Sequence, residues 1–200
     1  AIGGYFTEPN GGGIMLPAGT VITSSQRIYI YAVTNTTPQC SKENSFQINI
    51  FSTTADQPSN VEVCDSYILP SLSEDNHYYT ATGGPNGLGT ELVAGTVITT
   101  TQNIYVYKEA LIRTSFSCSA ENMFTVTINH TPIINPISNV NACNSNELPA
   151  LTVGNYYTGT NGTGTMLPVG TAITSPQTIY VYAETGTTPN CHSEKSFYVN

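Results

Sequence analysis

Polar and apolar residues alternate strictly over several short stretches of this chain. Phe124-Thr125-Val126-Thr127-Ile128 alternates in this way, and so do Phe46-Gln47-Ile48-Asn49-Ile50 and Phe197-Tyr198-Val199. A period of two predicts a β-strand with one buried face and one face toward water. A second type of stretch, Ile28-Tyr29-Ile30-Tyr31 and its counterparts at 104–107 and 179–182, is apolar on both faces. Such a pattern is typical of a central strand that is covered on both sides.

The predicted strands recur at a fixed period. Gly19-Thr20-Val21-Ile22-Thr23 returns from Gly95 and again, with Ala172 in place of valine, from Gly170, so the spacing is 76 residues (95 minus 19) and then 75 (170 minus 95). A period of this size predicts tandem folding units. We assign copy one to residues 1–51, copy two to 57–130 and copy three to 136–200. Copy one has no counterpart of residues 61–72, so we expect the sequence to be an excerpt from a longer polypeptide.

Glycine, proline and asparagine separate the predicted strands. The clusters at residues 9–13, 83–87 and 160–164 occupy one position of the repeat and predict a turn there. About seven short strands and an early-to-late cysteine pair in each copy predict an all-β fold of tandem immunoglobulin-like β-sandwich domains. The absence of tryptophan excludes the antibody-type core. The linkers at 52–58 and 130–136 contain proline, so we expect an elongated, semi-rigid array.

Composition and charge narrow the range of partners. Only 9% of residues are charged, and the formal net charge is -8, so nucleic acid and anionic lipid would repel the chain. No apolar run approaches the roughly 20 residues needed to span a bilayer, so we expect no membrane insertion. We also expect no cofactor.

The five cysteines fall at two positions of the repeat. Cys64 and Cys143 are early, whereas Cys40, Cys118 and Cys191 are late and each precedes a phenylalanine by six residues. The simplest arrangement is one disulfide inside each complete copy, Cys64 to Cys118 and Cys143 to Cys191, with Cys40 unpaired. The alternative joins neighbouring copies through Cys40 to Cys64 and Cys118 to Cys143. Either set of disulfides places the chain outside a reducing cytoplasm.

Candidate chemistry is sparse. Glu43, Glu121 and Glu194 each follow a late cysteine by three residues, and we expect them to accept hydrogen bonds from backbone amides of a turn. One carboxylate per copy does not form a calcium site, no paired cysteine motif predicts zinc, and no nucleophile motif recurs. The sequence therefore predicts neither a metal site nor an enzyme.

Paired aromatic residues offer one alternative. Tyr78-Tyr79 and Tyr156-Tyr157, with Tyr5-Phe6 in copy one, could stack against sugar rings of a surface polysaccharide. One ring of each pair must point inward in a strand, which halves the available surface. The alternative function is therefore a carbohydrate-binding repeat array that gains avidity from its repeated sites.

The residues from Tyr156 to Phe197 carry a recognisable motif. It runs Tyr-Tyr-Thr, an Asn-Gly-Thr-Gly turn, Gly-Thr-x-Ile-Thr, Gln-x-Ile-Tyr-Val-Tyr-Ala-Glu and Cys-x-x-Glu-x-Ser-Phe. This resembles the tandem repeats of very long SprB-like cell-surface adhesins of Bacteroidota, which are type IX secretion substrates. The resemblance implies an extracellular, cell-surface location and a role as stalk repeats of a filament for surface attachment or gliding motility. The partners it implies are neighbouring repeats of the same polypeptide.

Overall fold

The computed structural model describes residues 3–113 and 116–200. Copy one forms a single antiparallel sheet with the strand order β2-β1-β3-β4. Its strands are β1 (Gly4–Glu8), β2 (Gly12–Leu16), β3 (Gln26–Val33) and β4 (Ser41–Ile48). A short 3-10 turn, Pro9–Gly11, connects the first two of them, where the glycine-rich cluster predicts a turn.

Copy two forms two sheets. A large sheet has the order β5-β11-β10-β7-β8, and β6 pairs with β9 in a small one. The strands are β5 (Val61–Cys64), β6 (Tyr67–Ile68), β7 (Asn76–Tyr79), β8 (Glu91–Leu92), β9 (Val97–Ile98), β10 (Gln102–Arg113) and β11 (Phe116–Asn129).

Copy three repeats this plan. Its large sheet has the order β14-β13-β16-β17, and β12 pairs with β15. The strands are β12 (Asn146–Glu147), β13 (Asn155–Tyr157), β14 (Met166–Leu167), β15 (Ala172–Ile173), β16 (Gln177–Glu184) and β17 (His192–Val199). The predicted all-β fold is confirmed, with the two sheets of an immunoglobulin-like β-sandwich in copy two and in copy three, whereas the described residues of copy one form one sheet.

The alternating patterns form the cores. In β11, Phe124, Val126 and Ile128 are buried while the two threonines between them are partly exposed. In copy three, residues of both sheets pack in one apolar cluster, which includes Leu148 and Ile173 from around the small sheet and Tyr156, Ile179 and Phe197 from the large one. Burial of these side chains from both sheets is what holds the two layers of the sandwich together.

The first segment of a copy lies beside the last strand of the same copy. β5 runs parallel to β11, with Val61 opposite Val126 and Cys64 opposite Asn129. In copy three, a parallel bridge joins Val140 to Val199. Because of this pairing, the early cysteine of a copy lies beside the last residues of the same copy.

Compactness divides the chain into two units. Unit one comprises Ala1–Thr54 with Glu109–Ala120, and unit two comprises Ala55–Lys108 with Glu121–Asn200. Each sheet draws its strands from one copy, yet copies two and three share a unit. The division into domains at 1–51, 57–130 and 136–200 therefore stays a prediction, and residues 1 and 2 of the first domain lie outside the described residues.

Candidate functional site: the junction of copies two and three

A disulfide joins copy two to copy three. It links Cys64, the early cysteine of copy two, with Cys191, the late cysteine of copy three, and the two Cα atoms lie 5.7 Å apart. The predicted pairs Cys64 to Cys118 and Cys143 to Cys191 are therefore wrong. The alternative pairing correctly joins neighbouring copies. It links the late cysteine of one copy to the early cysteine of the next, whereas the observed bond links the early cysteine of copy two to the late cysteine of copy three.

The strand pairing explains why a bridge inside one copy does not form. Cys64 lies opposite Asn129 at the end of β11, whereas Cys118 precedes Asn129 by 11 residues on that strand (129 minus 118). Eleven residues correspond to about 36 Å of extended strand, far beyond the reach of a disulfide. In copy three, Ala142 donates its N–H to Asn200 at the end of the chain (3.0 Å), while Cys191 lies just before β17. The two cysteines of a copy thus occupy opposite ends of its last strand.

Three cysteines are free among the described residues. They are Cys40 and Cys143, which are exposed, and Cys118, which is partly buried. Cys118 and Cys143 were predicted to be bonded, and they correspond in the repeat to Cys191 and Cys64. Each free cysteine thus has a bonded counterpart elsewhere in the chain.

Hydrogen bonds hold the linker to copy two. The Asp65 carboxylate accepts the backbone N–H of Thr131 (2.8 Å) and the hydroxyl of Thr131 (2.6 Å). Both hydrogen bonds lower the pKa of Asp65 below its ordinary value, and the bond from the Thr131 hydroxyl has the larger effect. The backbone N–H of Asp65 donates to the carbonyl of Asn129 (3.0 Å). Asp65 therefore fixes the first residues of the linker at the end of copy two.

Copy three contacts the same linker from its own side. The hydroxyl of Ser193 donates to the carbonyl of Pro132 (2.6 Å), and the sulfur of Cys191 lies 3.4 Å from the carbonyl oxygen of Asn129. The loop that presents Cys191 is itself anchored, because the backbone N–H of Cys191 donates to the hydroxyl of Thr185 (3.0 Å). The linker is thus held by both copies, and the disulfide closes the junction covalently.

Sequence reasoning did not find the role of Asp65. A signal was present, since an acid or amide followed by serine comes directly after both early cysteines, as Asp65-Ser66 and Asn144-Ser145. Its partner Thr131 lies 66 residues away, and no local pattern indicates that pairing.

The recurring glutamates contact the turns that separate the strands. Glu43 accepts the backbone N–H of Asn10, and Glu194 accepts that of Asn161. Glu121 accepts the backbone N–H of Gly83 (2.8 Å) and the hydroxyl of Thr82. The prediction that these carboxylates accept hydrogen bonds from backbone amides of a turn is confirmed.

Most of the predicted sugar-stacking surface is buried. The exposed fractions of Tyr78, Tyr79 and Tyr156 are 2%, 5% and 1%, and burial raises the pKa of each of these phenols. The hydroxyl of Tyr78 donates to the carbonyl of Pro70 (3.2 Å), and that of Tyr156 donates to Pro149 (3.1 Å). Assignment of these three rings to a sugar platform is wrong, because they pack in the cores. Tyr157 is partly exposed.

The described part of the chain contains neither a cluster of metal-ligating side chains nor a membrane-spanning helix. No group of three or more histidine, cysteine, aspartate or glutamate side chains is placed to hold a metal ion among these residues. Over the same residues, no helix has the length and apolar character needed to cross a membrane.

Comparison with known proteins gives a weak likeness. No protein-family model matches the chain, and no curated protein matches it. Among solved structures, it is similar to extracellular repeats 3–6 of protocadherin gamma B7, with 11% identity over 98% of this chain and 65% of that one and a TM-score of 0.30. For repeats 22–24 of mouse cadherin-23 the identity is 11%, the coverage 100% and 86%, and the TM-score 0.29. For repeats 1–3 of protocadherin gamma C5 the identity is 12% over 89% of this chain and 78% of that one, and the TM-score is 0.36. The chain spans slightly less than two thirds of the first of these structures.

Proposed function

We propose that this chain is a segment of a spacer in an exported adhesin-type protein, in which sandwich repeats are joined in series by disulfides. The observation that carries the proposal is the bond from Cys64 to Cys191, because it links one repeat to the next. A bond of this kind adds no binding surface and no reactive group to either repeat. It does prevent two neighbouring repeats from separating under tension.

The energetic effect of the bond supports a mechanical role. A crosslink that closes a loop of 127 residues stabilises the folded pair by about 5 kcal/mol in the chain-entropy model. That amount is comparable to the roughly 5 to 15 kcal/mol of a whole domain. Because the loop spans both copies, unfolding of either copy is restricted by the other.

The proposed location is outside the cell. Disulfides persist in oxidising compartments and at cell surfaces, and the net charge of -8 favours solubility of an exposed repeat array. The role in surface attachment or gliding motility, and export by type IX secretion, belong to the same proposal and follow from the sequence resemblance.

Single-molecule stretching of the whole chain from its two ends tests the proposal. While the disulfide is intact, residues between Cys64 and Cys191 cannot extend when the domains unfold. Reduction of the bond, or Cys191→Ser, should release the 127-residue loop, which adds about 430 Å of extension at about 3.4 Å per residue.

Cys40→Ser is the matched control, because it removes an exposed cysteine that is free in the structure. It should leave the extension of the unreduced protein unchanged. If Cys191→Ser and Cys40→Ser stretch to the same length as the unreduced parent, the repeats are not joined in series and the proposal fails.

The carbohydrate-binding alternative now rests on Tyr157, the one member of the four predicted tyrosines that is not buried. Tyr157 packs edge-to-face against Tyr182, with ring centroids 6.2 Å apart. Part of its surface is therefore occupied by the protein itself, and no observation favours this function over the spacer.

A further inference from the structure

The sheet of copy one lacks an outer strand that pairs with the last strand in the other copies. In copy two, β5 lies beside β11, and in copy three the segment at Val140 lies beside β17. The equivalent strand of copy one, β4, is an edge strand within the described residues. An edge strand presents unpaired backbone groups that can accept another strand.

Side chains of copy one are exposed at positions where their counterparts are buried. Tyr5 and Phe46 have exposed fractions of 43% and 42%, while their equivalents in copy two, Tyr78 and Phe124, have 2% and 0%. A cavity of about 180 Å³ lies among these residues, lined by Tyr5, Ile22, Ile28, Phe46 and Ile48. Copy one therefore has an open apolar groove beside its edge strand.

In copies two and three, a leucine of the early segment occupies the position that corresponds to the groove of copy one. Leu69 and Leu148 are each 1% exposed. The backbone N–H of Leu69 donates to Thr96 (3.0 Å), and its carbonyl accepts from Gly95 (2.8 Å). Leu148 makes the same pair of bonds with Thr171 and Gly170. The corresponding residues of copy one, Gly19 and Thr20, line the open cavity.

The thiol of Cys118 lies where an early segment bound to copy one would place its own cysteine. In copies two and three, the sulfur of Cys191 lies 3.4 Å from the carbonyl oxygen of Asn129, five residues after Phe124. In unit one, the thiol of Cys118 donates to the carbonyl of Phe51 (3.7 Å), five residues after Phe46. Cys64 reaches Cys191 because it lies opposite Asn129. A segment that pairs with β4 in the same register would place its cysteine opposite Phe51, beside Cys118.

We propose that unit one is a docking site for the early segment of a further repeat of this type, a strand with the sequence character of residues 60–72. The strand pairs in parallel with β4 and fills the groove with its leucine, while its cysteine bonds to Cys118. This inference concerns a binding site, and it stands whether or not the array carries tension.

The covalent step is a thiol–disulfide exchange. The Cys118 thiolate attacks the sulfur of a cysteine that is already in a disulfide with a small thiol, and the new bond forms as the old one breaks. The small thiol leaves with the electron pair and takes up a proton. The oxidant is thus the incoming disulfide, and no other reagent is required.

The experiment uses the whole chain and a synthetic peptide with the sequence of residues 60–72, whose cysteine carries a 2-thiopyridyl disulfide. Mapping of non-reduced peptides by mass spectrometry locates the adduct. Docking should direct the peptide to Cys118 at a rate about tenfold or more above that at Cys40 and Cys143, because bound peptide has a high effective concentration. Cys40 and Cys143 are the internal control, since both are more exposed than Cys118.

A second peptide with serine in place of Val63 and Leu69 should lose this preference. A third peptide with Cys64→Ser should still bind without a bond and raise the melting temperature of both the parent and the Cys118→Ser protein. Labelling that follows exposure, with Cys40 and Cys143 modified first, would overturn the proposal. Equal labelling of Cys118 by the first two peptides would also overturn it.

Discussion

A glycine and a tyrosine are in close contact at the same place in every copy. The glycine directly follows the residue whose backbone N–H donates to the recurring glutamate, and it has positive φ; the three residues are Gly11, Gly84 and Gly162. A Cβ atom on Gly162 would lie 2.8 Å from the ring of Tyr182, and Tyr31 and Tyr107 crowd the equivalent glycines in the same way. The turn thus packs its backbone against the second tyrosine of the Ile-Tyr-Val-Tyr strand, which only glycine allows.

Gly162→Ala tests this contact. It combines the strain of a positive φ with a clash against Tyr182, so we expect a loss of about 2 to 3 kcal/mol in the free energy of unfolding. Gly170→Ala is the matched control, because Gly170 has φ +83 and nothing lies within 4 Å of its added Cβ. The control should cost about 1 kcal/mol. Equal losses in urea denaturation would show that the tyrosine contact contributes nothing.

Single residues also show where local pattern falls short. The period-two rule requires one tyrosine of each pair to face inward, and Tyr78 and Tyr156 do so. Tyr79 lies on the opposite face and is nevertheless buried, with its ring edge-to-face against Tyr107 and the centroids 6.1 Å apart. That contact involves a side chain from another strand, so the burial of Tyr79 could not be predicted from the pair alone.

At the scale of elements, the short early segment closes each sandwich. In copy two it contributes β5 to the large sheet and β6 to the small one, and Leu69, the residue directly after β6, is buried in the core. The alternating strands were predictable because each buries one face, as in residues 124–128. The position of β5 was not, since its four residues pair in parallel with a strand about 65 residues later (126 minus 61).

Leu69→Ala measures the contribution of this segment. Removal of a fully buried leucine side chain should cost about 2 to 5 kcal/mol through lost burial and a residual cavity. Leu88→Ala provides the control in the same copy, because Leu88 is fully exposed, and it should change stability by less than about 0.5 kcal/mol. Urea denaturation of the whole chain compares the two. A loss for Leu69→Ala no larger than that for Leu88→Ala would mean that the segment does not close the core.

At the scale of the whole molecule, the repeat frame was predictable and the connection between repeats was not. The frame sorted the cysteines correctly into early and late positions. It could not show that the early cysteine lies at the end of the last strand and the late cysteine at its beginning, because that placement depends on the parallel pairing. Once the pairing is known, the early cysteine of one copy meets the late cysteine of the next.

Disulfide mapping of the unreduced, alkylated protein tests this account most directly. Proteolysis and mass spectrometry should yield a peptide that contains Cys64 joined to one that contains Cys191, with Cys40, Cys118 and Cys143 alkylated. Peptides that join Cys64 to Cys118 and Cys143 to Cys191 would contradict it, because each repeat would then be closed on itself and nothing covalent beyond the backbone would connect it to the next.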